Sequence, residues 1–474
     1  MSLIYNATFD KNTRKLSFED RAGNEIYSFI VPERVPVDDI TKPLTFKATQ
    51  DSSTVKLTKQ GAPSGAFQTS RDGGNTWADY TLNTAITLNI GDEVSFRAKE
   101  DRTSAQSADA GFQFKMTGKI EAWHNVMSLY RTSDFATYES VVGYSFYSLF
   151  EDCTSLTKAP ALPATTLAQY CYKSMFYGCT SLTEAPVLPA TTLYGSCYQN
   201  MFKGCTSLTK APELPATTLA DYCYYGMFYG CTSLTKAPEL PATTLANYCY
   251  QYMFDGCTSL TKAPVLPATT LATSCYEHMF EGCASLTEAP VLPATTPAIR
   301  CYYSMFSGCT SLTKAPALPA TTLASVCYEK MFNGCTSLTK APELPATTLG
   351  DYCYQNMFLG CTSLTKAPEL PATTLAPWCY IGMFINCTSL TKAPELPATT
   401  LAHSCYAGMF NGCSSLNEVR CQMPSSYSSY DILSYYASNW LKGVASTGTF
   451  YTNADAHWSS GASGIPTGWT RINT

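Results

Sequence analysis

Cysteine is the residue type with the most obvious chemical potential in this sequence, because 22 of its 474 residues are cysteine. Eleven recur every 26 residues from Cys153 to Cys413, ten recur with the same step from Cys171 to Cys405, and Cys421 stands outside both series. A zinc site needs ligands clustered at short spacings such as C-x-x-C, with histidine nearby. The intervals here alternate between 18 and 8 residues and the chain has only four histidines, so we predict no metal site.

The regular spacing also bears on the oxidation state of these cysteines. If each 26-residue unit is one coil of a stack, the cysteines form two parallel columns. Coils ~4.8 Å apart are within the Cα separation that a disulfide allows, but side chains in parallel columns point the same way rather than toward each other. We therefore predict reduced thiols that pack as small hydrophobic side chains.

Nucleophilic catalysis needs a cysteine or serine next to a base, and glycoside hydrolysis needs two carboxylates facing each other across a cleft. The four histidines, His124, His278, His403 and His457, lie in unrelated sequence contexts. We identify no pair of carboxylates placed for hydrolysis. The sequence thus predicts a protein that is not an enzyme, with no catalytic residue and no cofactor.

The composition excludes other classes of function. Apolar residues make up 45% of the chain and charged residues 14%, which indicates a folded protein. The net charge is −5 with no basic stripe, so we expect no nucleic-acid partner. The first residues, MSLIYNATFDKNTRKLSFED, show no signal peptide, and no apolar run is long enough for membrane insertion.

The repeated unit first reads CTSLTKAPALPATTLAQYCYKSMFYG, at residues 153–178. Its second half predicts a helix of about three turns. Thr166 is placed as an N-cap, and proline replaces two of the next residues in other coils, as Pro297 and Pro377, where a first helical turn tolerates it. Gly178 is placed as the residue that closes the helix in a left-handed conformation.

Two sets of positions alternate along this predicted helix. The nearly invariant residues are spaced to share one face, and they are Leu167, Cys171, Tyr172, Met175 and Phe176. The residues that vary between coils are spaced to share the opposite face, and they are Gln169, Tyr170, Lys173, Ser174 and Tyr177. We predict that the first face is buried and that the second meets solvent.

The first half of the unit is short and bounded by proline, which favours a strand with Leu156 and Ala159 pointing inward. The predicted fold is therefore an α/β solenoid of the leucine-rich-repeat kind, built from 26-residue strand-helix coils with a parallel strand ladder. Alternating residues in segments such as TVKLTKQ predict an antiparallel β domain before it. The predicted divisions are an attachment hairpin and linker at 1–42, a β-sandwich at 43–118, an N-terminal cap at 119–152, ten repeats at 153–412 and a C-terminal cap at 413–474.

The variable positions supply a candidate partner surface. Aromatic and apolar residues gather there in coils one, three and four and again in coils eight and nine: Tyr170, Tyr177, Tyr222, Tyr225, Tyr229, Tyr248, Tyr252, Leu359, Trp378, Ile381 and Ile385. Rigid aromatic residues and exposed apolar clusters are typical of partner surfaces. The alternative is that these positions carry no packing constraint and have drifted freely after duplication.

Charged residues form two columns on the predicted strand side. The sixth place of the coil is lysine in eight coils and glutamate in two, Glu184 and Glu288, while the ninth is often glutamate, as in Glu213 and Glu343. Such columns could bind a charged glycan. We favour a structural interpretation, because like charges at strand spacing repel and a neighbouring column of opposite sign relieves them.

The unit CYxxMFxGCTSLTKAPxLP resembles the BspA-like class of leucine-rich repeats over residues 145–420. The coil is longer than the usual unit of that class and has a second cysteine column. The tail NWLKGVASTGTFYTNADAHWSSGASGIPTGW is similar to the ends of such proteins from gut Bacteroidales and from their phages. The resemblance implies a surface or virion protein that recognises a partner and has no catalytic activity.

These observations lead to one hypothesis and two alternatives. The hypothesis is a virion-borne fibre or decoration protein that binds protein or glycan on a host cell, while residues 1–118 contact other virion or surface proteins. One alternative is a bacterial cell-surface adhesin whose export signal is absent from this sequence. The other is a structural fibre scaffold without a ligand, and the chain is a possible homo-oligomer in each case.

Overall fold

The computed structural model describes residues 38–474 except for 61–65, 103–110, 423–426 and 429–434, together with three strands before residue 38. The chain divides into two compact units, Met1–Asp39 and Ile40–Thr474.

The first unit is a small antiparallel sheet. Its strands are β1 (Asn6–Asp10), β2 (Lys15–Glu19) and β3 (Glu25–Ile30), hydrogen-bonded in the order β1-β2-β3. The connector that the sequence predicts within the segment 1–42 lies largely outside the described residues.

The second unit begins with two facing antiparallel sheets. They are formed by β4 (Thr45–Ala48), β5 (Ser53–Gln60), β6 (Phe67–Ser70), β7 (Ala78–Tyr80), β8 (Ile86–Leu88), β9 (Glu93–Ala98) and β10 (Gly111–Thr117). One sheet has the order β4-β9-β6-β7 and the other β10-β5-β8. Side chains alternate as expected, because Val55 and Leu57 are fully buried and Lys56 between them is half-exposed. The predicted antiparallel β domain is confirmed.

The sandwich continues directly into the repeats. Strand β11 (Ile120–Trp123) pairs antiparallel with β4 and parallel with β12 (Leu156–Lys158), which belongs to the first coil. A short 3₁₀ helix, Val126–Leu129, follows β11 and is capped by the Asn125 side chain. Sandwich and coils therefore share one hydrophobic core.

The first half of each coil lies parallel to the same half of the next. Residues 26 apart pair in parallel, as Lys210 does with Lys236 and Thr244 with Thr270. Between β12 and β13 (Lys392–Leu396) the pairing is reduced to single bridges. Each coil has two prolines in this stretch, such as Pro212 and Pro215, and a residue without an N–H cannot extend a ladder. The predicted parallel ladder is present in this reduced form.

The second half of each coil is not the predicted helix. From Ala168 to Gly178 the backbone makes a run of tight turns in which every fourth residue is left-handed, with φ of 61° at Tyr170, 55° at Ser174 and 70° at Gly178. Odd-numbered N–H groups close the turns, as when Tyr177 donates to the Ser174 carbonyl at 3.1 Å. Even-numbered ones bond the next coil, as when Phe176 donates to the Met201 carbonyl at 2.9 Å.

This geometry corrects three expectations. Thr166 is no N-cap, because no helix follows it, and its carbonyl accepts the Val141 N–H of the preceding coil at 3.0 Å. Pro377 is tolerated because, in the coils described, the N–H at its place donates to no backbone carbonyl. Gly178 is left-handed as expected, but it ends a turn and not a helix. Among the described residues, no helix is long and apolar enough to cross a membrane.

Invariant side chains form continuous columns inside the coils. Ten tyrosines from Tyr172 to Tyr406 are buried with adjacent ring centroids 5.7–6.0 Å apart. A parallel phenylalanine column runs from Phe150 to Phe410. The cysteines lie in the same hydrophobic core, and all 22 are free and buried. The predicted buried face is therefore buried, although it belongs to a different backbone conformation.

The C-terminal region covers the last coil. Strands β14 (Glu418–Cys421), β15 (Gly448–Thr452) and β16 (Trp469–Asn473) extend the parallel ladder from β13 in the order β13-β14-β15-β16. The fully buried indole of Trp440 lies 6.2 Å from Tyr406 and 6.3 Å from Phe410, ring centroid to ring centroid. One large side chain thus ends both aromatic columns.

Candidate functional site

The variable positions of the turns lie on one side of the coils, which we call the turn face; it consists of residues 169, 170, 173, 174 and 177 and their counterparts at 26-residue steps. Some of these positions are buried, as Ser174 is at 8% exposed and Ser274 at 0%, so the prediction that the whole face meets solvent is wrong for these small side chains. Tyr222 and Tyr229 are 36% and 37% exposed, and the other nine residues of the predicted partner surface are half-buried. All eleven are therefore accessible at least in part.

Coils three and four bring five of these residues together, and we call this group the tyrosine patch. Tyr222 and Tyr248 stack with ring centroids 4.5 Å apart and planes 6° from parallel. Tyr225 meets Tyr252 edge-on at 5.5 Å, and Tyr229 lies 6.5 Å from Tyr252. Neighbouring coils place the same position side by side, so residues 26 apart in sequence become ring neighbours.

Tyr177 joins this patch through a lysine. The Lys203 ammonium lies 4.4 Å from the ring centroid of Tyr229 and 5.7 Å from that of Tyr177, a cation–π arrangement. Tyr170 makes its contact elsewhere, because it stacks on Tyr144 of the preceding coil at 4.7 Å. The structure therefore separates Tyr170 from the other tyrosines of the prediction.

A histidine extends the patch into coil five. The imidazole of His278 stacks on Tyr252 at 4.6 Å and meets Tyr303 edge-on at 4.9 Å. Its Nδ1 is hydrogen-bonded to the Glu281 carboxylate. His278 has no catalytic context in the sequence, yet it is an integral part of this aromatic surface.

Charged groups border the patch. The Arg300 guanidinium donates to both carboxylate oxygens of Glu277, at 2.8 and 3.2 Å, and Glu277 is only 3% exposed. This pairing satisfies a charge that would otherwise be costly to bury. Burial, and after it the negative charge of Glu281, raises the pKa of Asp255 to about 7.

A second aromatic group lies in coils eight to ten. Trp378 stacks on Tyr352 at 4.7 Å with planes 4° from parallel, and it meets His403 edge-on at 4.9 Å. Leu359, Ile381 and Ile385 occupy half-buried positions of coils eight and nine on the turn face. The two halves of the predicted surface are therefore two separate aromatic groups.

Several members of these groups were not predicted from the sequence: Lys203, Glu277, His278, Arg300, Tyr303 and Tyr352. Each occupies a variable position of the repeat, so a signal was present in the 26-residue step. Comparing the same position in consecutive coils would have placed His278 after Tyr252, and Tyr352 before Trp378. The predicted partner surface was limited to certain aromatic and apolar residues, so these neighbours were not included in it.

The arrangement is suited to binding more than to catalysis. Tyrosine rings offer large rigid contact areas at low cost in conformational entropy, and their hydroxyl groups can hydrogen-bond a polar ligand. Within the described part of the chain, no three His, Cys, Asp or Glu side chains are grouped to hold a metal ion.

Comparison with known proteins agrees with the solenoid. The family model described as the BspA type leucine-rich repeat region matches residues 137–227, 170–313, 273–373 and 330–450, which together span about two thirds of the 474 residues. A comparison with curated proteins gave no match. Repeats of this type are consistent with surface adhesion or recognition. The chain belongs to the BspA type leucine-rich repeat family.

Proposed function

We propose that this protein is a non-enzymatic recognition protein that binds protein or glycan on a host cell surface through the tyrosine patch. The observation that carries the proposal is the parallel stack of Tyr222 on Tyr248, with Tyr225, Tyr229 and Tyr252 beside it. Tyr222 is 36% exposed. Flat, rigid rings held in register by the coils form a pre-organised contact surface, which lowers the entropy lost on binding.

The chemistry around the patch supports a polar ligand. Lys203, Asp255 and the paired Glu277 and Arg300 surround the rings with charges of both signs. A sugar ring or a peptide segment has both apolar faces and hydrogen-bonding groups, and this combination of rings and charges matches both kinds of surface. A purely apolar partner would cover the Lys203 ammonium without offering it a hydrogen bond.

Binding of the purified protein to whole host cells and to a panel of surface polysaccharides tests the proposal. The triple variant Tyr222→Ala, Tyr248→Ala, Tyr252→Ala should lose about 100-fold in affinity, the loss typical of removing an aromatic hot spot. Tyr194→Ala is the matched control, since this tyrosine is 50% exposed and lies outside the patch. Equal affinity of the triple variant and the wild type would refute the assignment to this patch, and absence of binding to every host would favour a structural scaffold.

We further propose that the protein is carried on a virion as a fibre or decoration protein. This proposal is supported by the similarity of the C-terminal segment to the ends of phage-encoded proteins with such repeats, and by the β domain that precedes the coils. Peptides of this chain in purified virions, and neighbouring genes for capsid or tail proteins, are the expected results. A longer reading frame that begins with a signal peptide would instead identify a bacterial cell-surface adhesin.

A further inference from the structure

The strand side of the coils has an unusual exposed apolar surface. Val187, Val265 and Val291 are 78%, 76% and 76% exposed, more than the other large hydrophobic side chains that are exposed in the described residues. All three occupy the ninth place of the coil. Val265 and Val291 are neighbours in coils five and six, and a contiguous exposed apolar surface is typical of an interface.

The same surface carries the two charged columns. We call it the strand strip: residues 210–215 and their counterparts in the other coils. The lysines of the sixth place from Lys210 to Lys366 are exposed, and none of them has an ion-pair partner among the described residues. Exposed glutamates occupy the ninth place in five coils: Glu213, Glu239, Glu343, Glu369 and Glu395. The backbone β-bridge between Lys210 and Lys236 places two like charges side by side.

Grooves run between the coils of this strip. One of about 420 Å³ is lined by Lys210, Pro212, Glu213 and their counterparts in coil four. Another of about 310 Å³ is lined by Lys340, Pro342, Glu343 and their counterparts in coil nine. Lysine and glutamate thus border the same grooves, and their aliphatic stems and the prolines form the apolar floor.

The distribution of charges is self-complementary in one orientation only. If a second copy faces the strip about a two-fold axis that runs along the stack of coils, its ninth place lies opposite the sixth place of the first copy, coil by coil. Lysine then meets glutamate in coils three, four, eight, nine and ten, twice in each. If the copies were antiparallel, lysine would face lysine and glutamate would face glutamate. If they were parallel but shifted by one coil, Glu184 would face Glu213 and the two-fold symmetry would be broken.

The two coils that depart from the pattern fit the same orientation. Glu184 and Glu288 replace lysine, and the ninth place of those coils is Val187 and Val291, so glutamate never faces glutamate. Glu288 lies between Lys262 and Lys314 in its own column, so it has a lysine in the coil on either side without help from the second copy. If this column faced water, a charged side chain such as lysine would be hydrated there more favourably than an exposed valine.

We infer that the strand strip is the interface of a parallel, in-register homodimer. Ten coils at ~4.8 Å and a width of about 17 Å for six extended residues give a strip of about 800 Å² on each copy, comparable to the ~800 Å² per partner of a stable complex. The tyrosine patch lies on other positions of the coil, so it stays accessible and is present twice in the dimer.

Charge reversal tests the interface. One variant carries Lys210→Glu, Lys236→Glu and Lys340→Glu, and its complement carries Glu213→Lys, Glu239→Lys and Glu343→Lys. The matched control carries Lys59→Glu, Lys119→Glu and Lys442→Glu, which reverses three exposed lysines elsewhere. Mass is measured in solution by light scattering after size-exclusion chromatography and by sedimentation velocity, with circular dichroism to verify folding.

The wild type and the control should be dimeric, and each reversed variant alone should self-associate about 100-fold more weakly, because like charges then face each other. Mixing the two variants should restore a dimer that contains one copy of each. A monomeric wild type, reversed variants that stay dimeric, or a mixture that stays monomeric would each overturn the inference. Because mass is the readout, this result is independent of whether the tyrosine patch binds a ligand.

Discussion

The phenyl ring of Phe114, on the last strand of the sandwich, stacks on that of Phe150 in the coil before the repeats, with centroids 5.4 Å apart and planes 12° from parallel. Phe150 stacks in turn on Phe176 at 5.4 Å. The Phe114 N–H donates to the Leu149 carbonyl, and the Cys153 thiol donates to the Phe114 carbonyl. Phe114 therefore occupies the place that a coil phenylalanine would take, and the sandwich acts as the first layer of the stack.

This relationship predicts how the sandwich contributes to stability. Phe114→Ala should remove about 3–5 kcal/mol and should lower the melting temperature of the first coils as well as that of the sandwich. Phe67→Ala is the control, because Phe67 is equally buried but packs on Phe112 within the sandwich. Calorimetry and hydrogen exchange report the two regions. Unchanged protection of coil one in Phe114→Ala would contradict the coupling.

Val326 is a strained position of the turn run. It is left-handed with φ of 63°, a conformation that β-branched residues adopt rarely and at a cost. Val326→Asn should raise the free energy of unfolding by about 1 kcal/mol, since asparagine tolerates this backbone. Val187→Asn, at an exposed valine with no positive φ, should change it little. Chemical denaturation measures both, and a loss of stability in Val326→Asn would disprove the account of the strain.

The thiols should be unreactive in the folded protein. Thiolate is the reactive form, and burial raises the pKa of Cys171 to about 12. A thiol reagent at neutral pH should therefore label no cysteine rapidly before denaturation and all 22 after it, without reductant. Mass spectrometry counts the labels. A lower count after denaturation would reveal disulfides.

Asp255 should make the stability depend on pH. Its pKa is about 7 in the folded state against an ordinary 3.8, because burial and the Glu281 charge disfavour the ionised form. The contribution of Asp255 to the free energy of unfolding is fully present below the unfolded pKa and is lost as the pH rises through about 7. Asp255→Asn should consequently gain melting temperature over the wild type at about pH 8.5 and much less at about pH 5. Asp351→Asn, at an exposed aspartate, is the control, and equal gains at both pH values would contradict this cause.

The sequence permitted the solenoid, its period and its buried residues to be predicted, because stacking repeats the same demands every 26 residues. The helix was wrong for an identifiable reason. A left-handed residue at every fourth position spaces the inward side chains almost as a helix does, so Cys171, Met175 and Phe176 fit both patterns. Residues that tolerate positive φ recur at one place, as Asn200, Gly226 and Gly382, and this was the signal for turns.

The candidate site could be predicted only in part. Variable positions identified Tyr222 and Tyr248, and the 26-residue step also places His278 after Tyr252, but the edge-on contact of Tyr225 with Tyr252 joins different positions of adjacent coils, which the repeat period alone does not specify.

The hydrogen bonds from each coil to the same places of the next have a consequence for the history of the gene. Every interior coil donates N–H groups to the coil after it and accepts hydrogen bonds from the coil before it. A unit of 26 codons can therefore be duplicated or deleted by recombination without opening the core. Each such event adds or removes all the turn-face side chains of one coil together, and it changes the number of coils in the stack by one. New combinations of surface side chains can therefore be sampled on a scaffold that keeps its fold.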